Sequence, residues 1–204
     1  MKSKDSFDTR KLVLLALLSA IVVLLQYLGA FVRVGQFQFA LVLVPIVVGA
    51  SLCGVLAGGW LGAVFGAAVL LNGDAAPFLQ INAAAAVAVV LVKGICAGLA
   101  SGAAYKLLEG KKRFLAVLAA AVVSPIVNTG IFIIGCYAFF LPTLREWGDA
   151  WAESVGRAPG NVTAYIFIGL VGINFVLEFI INIALSNAIV RIIEAGRDIL
   201  SNKR

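Results

Sequence analysis

Apolar residues run along this chain in six long segments, at 12–32, 39–52, 54–71, 83–108, 114–141 and 163–193. About 20 consecutive apolar residues let an α-helix cross a bilayer with its backbone polar groups satisfied internally. The pattern predicts an all-α integral membrane protein with one transmembrane domain over residues 1–204 and six spans. The second and third segments are the ambiguous pair. Together they occupy the 35 residues from Phe37 to Leu71, too many for one membrane helix and tight for two with a turn.

Charge decides between five spans and six. With six spans and both ends in the cytoplasm, twelve of the 16 basic residues lie inside, Arg33, Arg145 and Arg157 lie outside, and Lys93 falls within a span. Five spans leave six inside and nine outside, against the positive-inside rule. The basic start before the first segment also fits a signal peptide, but the apolar run is long and lacks a small-residue cleavage site before Arg33. The polar stretch 142–161, PTLREWGDAWAESVGRAPGN, reads as an outer loop, its prolines and glycines breaking regular structure and its two tryptophans suited to the interface.

Composition agrees: 62% of residues are hydrophobic and 13% charged, with a mean hydropathy of +1.07, outside the range of soluble domains. The net charge of +6 flanks the apolar segments instead of forming a basic stripe, so nucleic acid is not an expected partner. With no histidine, no paired cysteines and no phosphate-binding GxxxxGK[ST] loop, metal sites, histidine triads and a resident ATPase are all unsupported, and no cofactor is expected.

Small residues recur at intervals of four. Gly54, Gly58, Gly62 and Gly66 form one series, Gly94, Gly98 and Gly102 a second, and Ala16 and Ala20 a third. Each draws a stripe along a helix that admits another backbone closely, which in lipid is a main source of helix association. Packing within the chain and docking on a second membrane protein both use such faces.

Charges inside a membrane are costly and mark functional leads. Lys93 lies about ten residues, or ~15 Å, into its span, and Glu178 about fifteen residues, or ~22 Å, into the last one, so both reach mid-membrane. Asn174, Glu178, Asn182 and Ser186 form a polar ladder on one face, and Ser124, Asn128 and Thr129 add polar groups to the fifth span. These groups converge on a ligand pocket or, alternatively, Lys93 and Glu178 form a structural ion pair while the amides bond between helices. At the expected outer mouth, Gln36 and Gln38 follow the first span, and the connection NGDAAPFLQIN supplies Asn72, Asp74 and Asn82.

The order of these features resembles the substrate-binding S components of energy-coupling factor (ECF) vitamin transporters, particularly the branch of riboflavin, folate and pantothenate binders. The resemblance rests on TRKLVLLALLSAIVVLLQ with Ala16 and Ala20, on PIVVG followed by glycines at steps of four, on the basic inner loop, on SPIVNTGIF and on the charged C-terminal tail. It implies a six-helix protein of the plasma membrane that captures a vitamin and docks on a transmembrane coupling subunit carrying two cytoplasmic ATPases. The AxxxA of Ala16 and Ala20 inherits the docking role, and Gly54, Gly58 and Gly62 are candidates for the same face. The expected function is substrate capture without covalent chemistry, with Lys93, Asn128, Asn174 and Glu178 in the site. A carboxylate-bearing vitamin such as pantothenate suits Lys93. The alternative is a self-sufficient secondary transporter using Glu178 as its ion site.

Overall fold

The computed structural model describes residues 9–31, 33–34, 37–38, 41–110 and 112–201. Helix α1 (Thr9–Phe31) is followed by a two-residue antiparallel pairing of β1 (Arg33–Val34) with β2 (Phe37–Gln38). Then come α2 (Leu43–Cys53), α3 (Val55–Leu71), α4 (Ala76–Ile81), α5 (Ala83–Leu108) and α6 (Arg113–Gly135). A π-helical turn at Cys136–Phe140 leads into α7 (Leu141–Ser154). After the short α8 (Val162–Ala164), a second π-helical turn, Tyr165–Leu170, precedes α9 (Gly172–Ala184) and α10 (Ser186–Ser201).

By length and composition three helical stretches qualify as membrane crossings, Thr9–Gly29, Ala83–Leu108 and Arg113–Ser154. A fourth forms if Val162–Leu170 and Gly172–Ala184, bent by 41° to one another, count as one broken span. The ambiguous second and third segments resolve into an apolar hairpin. At ~1.5 Å per residue α2 is about 16 Å long and α3 about 26 Å. The chain reverses at Gly54, whose φ of +103° suits glycine, so the turn takes a single residue. The reversal brings Ala50 against Gly58 and Gly49 against Leu61.

The glycine stripes of α3 and α5 face each other. A β-carbon on Gly62 would stand 2.5 Å from the carbonyl carbon of Gly94, and one on Gly98 the same distance from that of Gly58. One turn further, a β-carbon on Gly66 would meet the carbonyl oxygen of Val90 at 3.0 Å. Main chain touches main chain along this seam, the arrangement that small residues permit in lipid. Gly58 and Gly62 are therefore buried against α5 and unavailable to a partner, and Gly54 serves the turn. This corrects the expected docking face at Gly58 and Gly62; Gly54 remains exposed at the turn. Ala16 and Ala20 remain exposed on α1.

Two further expectations change. Residues 142–154 of the anticipated outer loop belong to the helix α7. Pro142 lies in its first turn, where a missing N–H costs nothing. Leu144, Gly148 and Ala152, four apart, form its buried face. Only 155–161 is irregular, with Gly156 and Gly160 at positive φ. The last apolar segment is also not one straight helix. Its π-helical turn is closed by Val171 N–H donating to the Ile166 carbonyl at 3.0 Å, and α10 departs after Leu185. A π-turn beside Gly169 and Gly172 accounts for the bend.

One hydrophobic core joins α1, α2, α3, α6 and α10 through Val22, Ile46, Leu61, Val117, Ile189 and Ile193. A second lies at the opposite end of the bundle, around Val89, Phe140, Leu144 and Ile166. Between them is a cavity.

Candidate binding cavity

The cavity has a volume of about 230 Å³ and is walled by α1, α3, α5, α6 and α9, with the α3–α5 connection at one end. Lys93, Asn128, Asn174 and Glu178, drawn from three different helices, all line it. Lys93 is half-buried, ten residues along α5, about 15 Å from its start. Its ammonium lies 5.1 Å from the ring centre of Phe132 and 5.8 Å from that of Phe65, within cation–π range of both.

Glu178 and Asn128 are each only 7% exposed. Among the described residues no ion pair joins Lys93 to Glu178, and Asn128 Oδ1 has no hydrogen-bond partner. The two charges thus face one cavity without closing on each other. Asn182 and Ser186, lower on the polar ladder, bond back along their own helix, Asn182 Nδ2 to the Glu178 carbonyl at 2.8 Å and Ser186 Oγ to the Asn182 carbonyl at 3.0 Å.

Asp74 lines the same cavity at its α4 end. Its Oδ2 accepts from Gln26 Nε2 and from Asn72 Nδ2, both at 2.7 Å, and its N–H donates to Asn72 Oδ1 at 3.0 Å. Asn72 therefore holds Asp74 in place and does not itself line the cavity. Asn82 is a correction to the expected mouth residues: it is exposed, and its Oδ1 caps α5 by accepting from Ala85 N–H at 3.1 Å. Gln36 lies outside the described residues, and of Gln38 only the main chain is described, in the strand that approaches α9.

Several lining residues are not foreseen from sequence. Gln26, 4% exposed, contributes an amide from α1. An amide in an otherwise apolar span is the same signal that marks Asn128, so Gln26 is detectable in principle. Phe78 brings an aromatic wall, packing edge-on against Phe132, Phe140 and Trp147 with ring centres 5.0–5.9 Å apart. No local pattern announces that contact.

An apolar helical bundle around one polar, partly aromatic cavity defines a membrane-embedded small-molecule binder. Residues 10–193 match the model of the family described as ECF transporter, substrate-specific component, and the chain belongs to that family. It is a substrate-binding subunit of an ECF transporter, a class that works with coupling and ATPase partners. Nothing matches it among the curated proteins or among the solved structures.

Proposed function

We propose that the chain captures a small vitamin-like molecule in this cavity and delivers it by docking on a transmembrane coupling subunit driven by two cytoplasmic ATPases, itself performing no covalent chemistry. The reading includes six spans, with α2 and α3 as two short ones and both termini in the cytoplasm of a plasma-membrane protein. The observation that carries it is the set of polar groups that three helices bring around one cavity: the Lys93 ammonium and the Glu178 carboxylate, which make no ion pair with each other among the described residues, and the Asn128 amide oxygen, which has no hydrogen-bond partner among them.

These groups suit a ligand with an anionic end for Lys93 and hydroxyl or N–H donors for Glu178 and Asn128. Pantothenate combines a carboxylate, two hydroxyls and an amide N–H, and is the favoured member of the vitamin group. A volume of about 230 Å³ is below the usual range for drug-sized ligands, about 300–1,000 Å³, which favours a compact molecule. Ala16 and Ala20, exposed on α1, form the docking stripe in this reading.

Mass spectrometry of small molecules that copurify with the chain, followed by titration calorimetry with pantothenate, riboflavin and folate, tests the ligand. Saturable pantothenate binding without turnover supports the proposal. Uptake by the isolated chain in liposomes under an ion gradient, with no ATPase present, overturns it in favour of a secondary transporter.

A further inference from the structure

A second concave site lies at the opposite, basic end of the bundle. It is a groove of about 810 Å³ between the start of α1, the α2–α3 turn and the ends of α5 and α10. Three cations line it, Lys11, Lys106 and Arg197, against one carboxylate, Glu109. Arg197 already approaches that carboxylate at 3.5 Å, so the groove keeps an excess of positive charge.

The depth of these cations is set by their helices. Lys11 is in the first turn of α1 and Lys106 two residues before the end of α5, and both helices are long and apolar enough to cross a membrane. The ammonium groups therefore sit at the level of lipid headgroups. Arg197 is held rigidly: its Nη2 donates to Tyr105 Oη at 3.0 Å, and a salt bridge of 2.9 Å from Arg113 to Glu194 ties α10 to α6 one turn earlier. Tyr105 is 2% exposed, and its hydroxyl oxygen accepts that bond at the groove wall. A guanidinium, two lysines and a phenol hydroxyl around one groove, against a single carboxylate, form a donor set suited to phosphate oxygens.

The groove is open at Gly54, where a β-carbon would meet nothing within 4 Å, and Leu56 on its flank is 83% exposed, giving acyl chains an apolar surface beside the charges. We propose that this groove binds the phosphate of an anionic phospholipid, with Lys11, Lys106, Arg197 and Tyr105 on the headgroup and Leu56 against a chain. Basic pockets between spans at the membrane surface take such headgroups. The charge excess favours a phosphate over an apolar partner helix.

The test uses the full-length chain in phosphatidylcholine nanodiscs doped with phosphatidylglycerol, with retained lipid counted by native mass spectrometry. The wild-type chain retains phosphatidylglycerol in preference to phosphatidylcholine. Lys11→Gln/Lys106→Gln lowers that preference by about thirtyfold, the effect of two headgroup-level lysines, and Tyr105→Phe lowers it several-fold, while small-molecule affinity at the cavity stays unchanged in both. Equal retention of the two lipids, or undiminished retention in the double variant, overturns the proposal. Displacement of the lipid by millimolar inorganic phosphate overturns it in favour of a free-anion site. Unchanged lipid retention combined with lost coupling-subunit binding overturns it in favour of a protein partner.

Discussion

Exchanging Lys93 for methionine removes the ammonium while keeping an unbranched, flexible side chain between Phe65 and Phe132, where the charge now lies 5.8 and 5.1 Å from the two ring centres. The apolar lining is conserved, so the change isolates the charge. A hydrogen bond to a charged group contributes about 1.5–3 kcal/mol. The dissociation constant for pantothenate should accordingly rise by roughly 10–150-fold. The fold should survive, because Lys93 makes no ion pair among the described residues, but some stability should be lost, since the buried Glu178 carboxylate loses the positive charge that shares its cavity. Titration calorimetry on purified wild type and Lys93→Met measures the first effect, and thermal unfolding measures the second. Pantothenol, which has an alcohol in place of the carboxylate, provides the internal control: both forms should bind it with similar, weaker affinity. A pantothenate affinity within twofold of wild type in Lys93→Met refutes the assignment of Lys93 to the ligand's anionic end.

Asn128→Leu removes an amide oxygen that is buried without a partner, so thermal stability of the empty protein should hold or rise while ligand affinity falls; a fall in both would mean that the amide is structural. Asn82→Ala should cost about 1 kcal/mol of stability by uncapping α5, with ligand affinity unchanged in the same titration. Ala20→Leu, on the exposed stripe of α1, should leave ligand binding intact and weaken copurification of the coupling subunit; normal complex formation on a size-exclusion column would remove the stripe from the docking face.

How much of this is legible in the sequence depends on whether a feature is local. The helix over Ala83–Leu108 follows from one apolar run, and its cap at Asn82 is a single residue. The glycine series announces close packing, but not with what: the partner of Gly62 is Gly94, 32 residues away, and only the folded hairpin shows that both stripes serve the same contact. Lys93, Asn128, Asn174 and Glu178 stand out because each is polar in an apolar span, and helix register brings all four to one cavity. Helix α7 is harder to read, since Pro142 and Gly148 count as breakers until the former is seen in a first turn and the latter packed against Tyr165. Gln26 reaches Asp74 across 48 residues of chain, a pairing that no periodicity encodes.

The seam between α3 and α5 determines where the protein can move. With peptide groups in direct contact at Gly58, Gly62, Gly94 and Gly98, a slide of one residue would drive Leu61 or Ile95 into a neighbouring backbone. These two helices are thus locked as a fixed wall behind any bound molecule. The opposite wall is built from α9, which enters through a widened helical turn and a 41° bend at Val171, a residue that itself lines the cavity. Admission and release of cargo are therefore expected on the α9 side, the bent half of a vessel whose other half is tightly packed.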